Sequence, residues 1–385
     1  MTSGGAGILS GIPAGRAEAE AALDGIVMPQ TIRTERMILE PFAMHHLSGF
    51  AEFFGDAAST RFIGGPADRS GTLDRMARFS GLWRLYGIGC YALTDERGRL
   101  HGYAGLWFPH DWPAPEIAYG LLPGSRGEGR ALEAVRAVKS IAEAVGIGAL
   151  ISTIAPDNVG SQRVATAVGA TRGERVTLNG DAADIWHHAM SPAAADRDAV
   201  VMLDSNVMPL RIRSERLTLV QWRPDHFAPF AALVSDADSM RYLGGPNSLF
   251  HATRGFIQRA GMWHLRGYGM YALEHEGRFV GSVGLWHPLN WPCAEIGYTL
   301  MPEARGQGFA AEAVAAVREV AAEQGLADLV SFIDPDNAAS QAVARRVGAV
   351  PDGTTQIAGR TFGAWRHQPE AATGRPRIHE LEPAL

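Results

Sequence analysis

The stretch Glu295-Ile296-Gly297-Tyr298-Thr299-Leu300-Met301-Pro302-Glu303-Ala304-Arg305-Gly306-Gln307-Gly308-Phe309-Ala310-Ala311-Glu312-Ala313 decides how the chain reads. It opens as a strand, turns at Pro302 and ends in an alanine-rich helix, with Arg305-Gly306-Gln307-Gly308-Phe309-Ala310 between the two. Glycines at such a junction let the backbone approach a ligand closely. The first N–H groups of the helix point at that ligand, so hydrogen bonds and the helix dipole both favour an anion such as a diphosphate. No Gly-Lys-Ser/Thr follows, so this is not a Walker loop. The strand before it ends a meander instead of opening a βαβ unit, which excludes the dinucleotide fingerprint. A Gly-rich turn also arises wherever a chain needs positive φ, so the loop gains weight only from its context.

That context is a repeat. Arg126-Gly127-Glu128-Gly129-Arg130-Ala131 stands in the same place after Glu116-Ile117-Ala118-Tyr119. Working outward, Val27-Met28-Pro29 aligns with Val207-Met208-Pro209 at an offset of 180 residues, and Arg61-Phe62-Ile63-Gly64-Gly65-Pro66 aligns with Arg241-Tyr242-Leu243-Gly244-Gly245-Pro246. After a one-residue deletion the offset becomes 179, pairing Gly105-Leu106-Trp107 with Gly284-Leu285-Trp286 and Trp186 with Trp365. A period this long is far beyond a solenoid unit of ~20–50 residues and means duplication of a whole domain. The expected organisation is a disordered segment at 1–25, domains at 26–190 and 206–368, a linker at 191–205 and a disordered tail at 369–385.

Within one copy, residues 32–42 alternate like a strand, and helices are expected near 44–57 and 71–86. Three strands follow at 90–93, 102–107 and 116–122, then the Gly-rich turn, a helix over 130–145 and a strand over 149–154. A helix after Pro156-Asp157-Asn158 and strands near 171–178 and 184–190 complete the copy. This order predicts an α/β (α+β) fold with a mixed, mostly antiparallel sheet flanked by helices.

Composition narrows the function classes. The chain of 385 residues is 46% hydrophobic and 20% charged, enough apolar matter for a core in each domain. A net charge of −6 argues against nucleic acid as the main partner. No apolar run approaches the roughly 20 residues needed to span a bilayer, so no membrane association is expected. Cys90 and Cys293 fall at non-equivalent positions, which suggests neither a disulfide framework nor a thiolate metal site and fits a cytoplasmic location. The histidines His110, His187, His188 and His367 have no ligand pattern, and no metal is expected.

The run from Glu295 to Ala313, and its counterpart from Glu116 to Ala131, closely resembles the fourth strand, pyrophosphate loop and following helix of GNAT acetyltransferases, in the ribosomal-protein N-acetyltransferase (RimJ/RimL-like) branch. Asp157-Asn158, Ser161 and Val168-Gly169, repeated as Asp336-Asn337, Ser340 and Val347-Gly348, resemble a second family segment. The resemblance implies two tandem GNAT folds, each splayed between strands 4 and 5. It implies acetyl-CoA as co-substrate, with Arg126, Gly127, Glu128, Gly129, Arg130 and Ala131, and Arg305, Gly306, Gln307, Gly308, Phe309 and Ala310, holding its pyrophosphate. Asn158 and Asn337 would lie along the pantetheine arm, although Asn before a helix is also an ordinary N-cap.

Direct transfer needs a neutral amine, and lysine and α-amines titrate near ~10.4 and ~8, so a base or water relay helps at neutral pH. The resemblance gives that part to Glu116 and Glu295, each just after a Trp-Pro loop, against the plainer reading of an exposed strand-end Glu. Many GNAT enzymes protonate the leaving thiolate with a Tyr in the helix after strand 5. This chain has none in Val164–Val168 or Val343–Val347, and the resemblance to the ribosomal-protein branch gives that part to Ser161 and Ser340 instead. The acceptor is a primary amine on a protein N-terminus or a small molecule. Two other readings stand: one half catalytic and the other a scaffold, or a non-catalytic acyl-CoA sensor or interaction protein. If one half is idle, Glu128 in place of Gln307 makes it the first, because a carboxylate beside a diphosphate is unfavourable unless it points away.

Overall fold

The computed structural model describes residues 15–178, 180–191, 206–326 and 328–367. Each repeat builds one eight-stranded sheet. In the first, the strands are β1 (Ile32–Arg33), β2 (Ile38–Pro41), β3 (Cys90–Thr94), β4 (Leu100–Trp107), β5 (Glu116–Leu121), β6 (Leu150–Ile154), β7 (Ala170–Leu178) and β8 (Asp181–His188), in the order β1-β2-β3-β4-β5-β6-β8-β7. The second repeats this order with β9 (Arg211–Arg213), β10 (Leu217–Val220), β11 (Met270–His275), β12 (Arg278–Trp286), β13 (Glu295–Leu300), β14 (Val330–Ile333), β15 (Val350–Ile357) and β16 (Arg360–Arg366).

All neighbours are antiparallel except β5/β6 and β13/β14. Each parallel pair has one aligned position, Glu116 opposite Ile151 and Glu295 opposite Val330. The two strands part after that point, so their backbone groups are left facing a cleft. This is the expected splay, and the glutamates mark its closed end.

The helices of the first repeat are α1 (Arg16–Ala22), α2 (Leu47–Gly55), α3 (Ala57–Thr60), α4 (Arg69–Tyr86), α5 (Arg130–Ala144) and α6 (Val159–Ala167). Those of the second are α7 (Phe227–Ser235), α8 (Leu249–Arg266), α9 (Phe309–Glu323) and α10 (Ala338–Arg346). Phe50, Phe53 and Phe54 of α2 are fully buried, and Phe53 meets Tyr103 of β4 edge-on with centroids 5.7 Å apart. Burying each such ring contributes ~1.5–3 kcal/mol. Helices α5 and α9 start behind Gly129 and Gly308, both in the left-handed region, and carry Glu133 and Glu312 in the first turn, where the dipole favours an anion. Of the described residues, those before 192 together with Thr253–Leu265 form one compact unit and the remainder form the other.

Two expectations change. Residues 32–42 are not one strand: Thr34 N–H donates to the Met37 carbonyl at 2.9 Å, and the segment folds into the hairpin β1–β2 with Ile32 opposite Leu39. Part of the segment expected to be disordered is also helical. Arg16 of α1 is buried, lies 3.4 Å from the Phe108 ring centroid and donates to the Tyr86 hydroxyl at 3.0 Å and to the Pro109 carbonyl. A cation satisfied this way anchors the helix. The rest of that segment, residues 1–14, the linker expectation at 192–205 and the tail expectation at 369–385 lie outside the described residues. No helix among the described residues is long and apolar enough to cross a membrane, and both cysteines are buried and unpaired.

Candidate active site

The Gly-rich loops have the backbone of an anion cradle. Gly127 and Gly129 have φ of +80° and +79°, and Gly306 and Gly308 have +75° and +81°. A Cβ at Gly127 or Gly306 would meet nothing within 4 Å, so the space over each loop is open. Neither following helix has a side-chain cap. No acceptor among the described residues takes the N–H groups of 127–131 or 306–310. The amides of Arg126 and Arg305 instead close the preceding turn on Pro123 and Pro302 at 3.4 and 3.3 Å, so the open cradle begins at Gly127 and Gly306. The side chains of these two arginines are also committed elsewhere, to the Leu121 and Leu300 carbonyls and to Ser59 and Ser239. Five open amides on a helix start fit a diphosphate.

The hairpin tips hold the cradles. Arg36 donates from Nη1 to the Glu128 carbonyl at 2.7 Å and from Nε to Glu133 at 2.7 Å, while its own N–H also donates to Glu133 at 2.9 Å. Arg216 does the same to Gln307 at 2.9 Å and to Glu312 at 2.7 and 2.8 Å. Each arginine draws a loop carbonyl to one side, which aims the intervening amides to the other. Reading 32–42 as one strand hid these residues, because only a hairpin places its tip over the loop.

Within the loops the repeats differ. Glu128 points to Arg130, with which it forms an ion pair, so the carboxylate beside the cradle is partnered. At the matching positions Gln307 donates to the Glu303 carbonyl at 2.8 Å, and Phe309 is buried beneath the Arg216 guanidinium, 4.8 Å from its centroid.

At the closed end of each splay lies a glutamate. Glu116 is buried. Its Oε2 accepts from the Trp112 indole at 2.6 Å, and its Oε1 accepts from the Thr153 N–H at 3.0 Å and the Thr153 hydroxyl at 2.7 Å. Burial raises its pKa, and the three donors oppose that rise. Glu295 is half-buried and accepts from the Trp291 indole at 2.7 Å. Burial pushes it up to about 7, against the Trp291 bond and one from the Phe332 backbone. The Trp-Pro loops therefore orient the carboxylates as well as flanking them.

The second family segment caps helices as well. Asn158 Oδ1 accepts from Ser161 N–H at 3.2 Å, and Asn337 Oδ1 accepts from Ser340 N–H at 3.1 Å. Tyr119 and Tyr298, which the sequence reading used only as part of a motif, reach across the splay from β5 and β13 and donate to the Ser161 and Ser340 carbonyls at 3.3 Å. Burial raises both phenols to about 12, so they are protonated at neutral pH. The Ser161 and Ser340 hydroxyls have no hydrogen-bond partner among the described residues.

One trio outside the cleft, Glu40, His45 and His46, has ligand atoms within 4.8 Å of one another. Ala43 N–H donates to His46 Nδ1 at 3.1 Å, which puts the neutral ring's proton on Nε2, the atom that faces Glu40 at 3.3 Å. That tautomer is the wrong one to ligate a metal.

The chain matches the acetyltransferase (GNAT) domain family twice, over residues 36–171 and 216–350. Among solved structures, it is similar to an acetyltransferase from Agrobacterium tumefaciens at 28% identity, covering 44% of this chain and 97% of that one, with a TM-score of 0.39. It is also similar to the Salmonella typhimurium acetyltransferase that modifies the N-terminal serine of ribosomal protein L7/L12, at 26% identity over 41% of this chain and 96% of that one, with a TM-score of 0.35. A RimL ribosomal L7/L12 α-N-protein acetyltransferase in complex with coenzyme A matches at 25% identity over 41% and 96%, also with a TM-score of 0.35. The two family matches together span well over half of the sequence and fall one on each repeat, so the chain belongs to the GNAT acetyltransferase family and carries its domain twice.

Proposed function

We propose that the chain is an acetyl-CoA-dependent N-acetyltransferase acting by direct transfer to a primary amine, with the second half as the faster catalyst. One observation carries the reading: β13 begins with a carboxylate near neutral pKa and leads into a cradle of open amides. A six-residue strand spans ~17–20 Å, the reach of an extended pantetheine arm.

Bound acetyl-CoA supplies an electrophilic thioester carbonyl at the closed end of the splay. Glu295 takes the proton that the acceptor ammonium must lose, directly or through one water, before nitrogen bonds to the acetyl carbon. As the carbon–sulfur bond breaks, the nitrogen sheds its second proton and the departing sulfur gains one, so a hydroxyl that donates to sulfur must recover its proton from the nitrogen, directly or through water. Tyr298 has committed its hydroxyl to the Ser340 carbonyl, which favours Ser340 as the donor in the second half and Ser161 in the first. Amides 127–131 and 306–310 hold the diphosphate, and Asn158 and Asn337 border the arm. The acceptor class is a protein N-terminus or a small-molecule amine, and the setting is the cytoplasm. The domain limits 26–190 and 206–368 are part of this proposal.

A one-sided enzyme is the second reading, favoured by the extra Thr153 donor that keeps Glu116 a weaker base. Calorimetric titration of the whole chain with acetyl-CoA gives the number of sites. Release of free thiol across an amine panel then gives transfer. Two sites with transfer support two working halves. Binding without transfer to any amine favours a sensor, and no binding ends the proposal.

A further inference from the structure

The loop Phe108-Pro109-His110-Asp111-Trp112 leads towards β5, and the Trp112 indole donates to Glu116 Oε2 at 2.6 Å. Two guanidiniums from outside the loop hold it. Arg16 of α1 reaches the Phe108 and Trp112 carbonyls at 3.5 Å each, besides that of Pro109. Arg254 sits on the stretch of α8 that belongs to the same compact unit. It donates from Nη1 to Asp111 and lies over the Trp112 ring, 5.4 Å from its centroid. Both arginines are buried. Arg254 stands 143 residues from Asp111 in sequence and outside the 36–171 span of the first family match.

A planar guanidinium can pair with a carboxylate at its edge and stack on an indole with its face, which an ammonium cannot do. Asp111 and Trp112 are adjacent, so one arginine fixes both, and with them the angle at which the indole N–H meets Glu116. Stability alone does not explain the arrangement, because a buried ion pair is often matched or bettered by apolar side chains of the same volume. Burial lowers the pKa of Arg254, and Asp111 opposes that by supplying the counter-charge.

We propose that Arg254 is a positioning residue for transfer in the first half: by holding Asp111 and Trp112 it keeps the indole donor on Glu116. The inference rests on the reading of Glu116 as the base of that half. The first base then depends on a side chain that the second repeat carries in its sequence. The other titratable groups acting on Glu116 are Cys90 of β3, Tyr103 of β4 and Tyr119 of β5, and burial raises the pKa of all three, so they are uncharged at neutral pH. A shift in Glu116 therefore follows its hydrogen bonds and the Arg254–Asp111 pair.

The test is made in the full chain carrying Glu295→Gln, so that free-thiol release reports the first half. Arg254→Ala should lower kcat by ~10-fold or more with KM for acetyl-CoA unchanged. It should also move the rising limb of the pH–rate profile up by about half a unit or more, because a loosened indole leaves Glu116 one donor fewer. Asp111→Ala should move the limb the same way. A direct charge effect would move it down in that variant, since a neighbouring carboxylate has been removed, so the sign separates positioning from electrostatics. Arg254→Lys, which keeps the charge and loses the stack, should give a smaller shift and stands in if the alanine variant does not fold. In Trp112→Phe, where the indole donor is already gone, adding Arg254→Ala should shift the limb no further. Opposite shifts in Arg254→Ala and Asp111→Ala, an unmoved limb in both, or additive shifts with Trp112→Phe overturn the positioning role and leave the transferase reading standing. So does a Glu295→Gln chain that transfers nothing. No transfer by the wild-type chain to any amine overturns the transferase reading as well.

Discussion

Glu116 and Glu295 occupy the same strand position, accept from the same kind of indole and close the same splay, yet they are different bases. Thr153 donates to Glu116 from both its backbone and its hydroxyl, whereas Phe332, its counterpart, has only a backbone N–H to offer. One side-chain oxygen gives Glu116 a third donor against the rise that burial causes, a donor that Glu295, pushed up to about 7, does not have. Duplication kept the scaffold and let a neighbouring residue retune the proton affinity.

The strongest way to break this comparison is to remove each base. Glu295→Gln should lower second-half transfer by ~10²–10⁴-fold with acetyl-CoA binding unchanged, and Glu116→Gln should cost the whole protein much less. Free-thiol release and calorimetry on both variants check this, and equal losses would show that the halves work alike. The wild-type rate should climb as pH rises through about 7, because Glu295 accepts a proton only when ionised. Its raised pKa also means that the folded state keeps a proton the unfolded chain has released, so this group's stabilising contribution is lost as pH rises from the ordinary carboxylate range through about 7. Glu295→Gln should flatten that part of the melting-temperature profile.

Next in size is the clamp on the cradle. Arg216→Ala frees the Gln307 carbonyl and removes the guanidinium from Glu312, which keeps only its bonds from the residue 216 N–H and the Ser214 hydroxyl, so CoA affinity of the second half should fall by ~10-fold or more. Arg36→Ala should act on the first site in the same way. Calorimetric titration of each variant should show one weakened site and one unaffected site. Weakening of neither would mean that the cradle holds its shape without the hairpin.

A smaller effect sharpens the opening contrast. Phe332→Thr gives Glu295 the hydroxyl donor that Glu116 already has, and a hydrogen bond to the charged form favours it. The rising limb of the pH–rate profile should move down by up to about one unit. A limb that stays in place would mean that the Thr153 hydroxyl is not what separates the two carboxylates.

How much of this was readable in advance follows from the range of each interaction. The element order and the Gly-rich turns were legible because they depend on local periodicity and on Gly at fixed places, repeated in two copies, whereas the splay was expected only through the resemblance to a known family. The hairpin tip was not legible, since alternation in 32–42 serves one strand or two equally well and only the Thr34–Met37 bond decides. Arg36 and Arg216 were hidden with it. The donors to Glu116 were half visible: Trp112 lies four residues away on the preceding loop, while Thr153 is distant in sequence and reaches Glu116 through the β5–β6 neighbourhood. The anchoring of α1 through Arg16 depended on partners at Tyr86 and Phe108 that no local pattern connects to it.

The smallest expected effect bears on a residue for which sequence and structure offer two compatible roles. Asn337 caps α10 through Ser340 N–H, and a lost Asn cap costs ~1 kcal/mol. If capping is all it does, Asn337→Asp, which keeps the accepting oxygen, leaves both melting temperature and CoA affinity near wild type, while Asn337→Ala lowers the melting temperature alone. If its amide also donates to the pantetheine arm, Asn337→Asp should hold the helix and still weaken CoA, because a carboxylate has no N–H to give. Running the same pair at Asn158 asks whether the first half kept the same contact, and melting curves beside calorimetry on four variants separate the roles in each half.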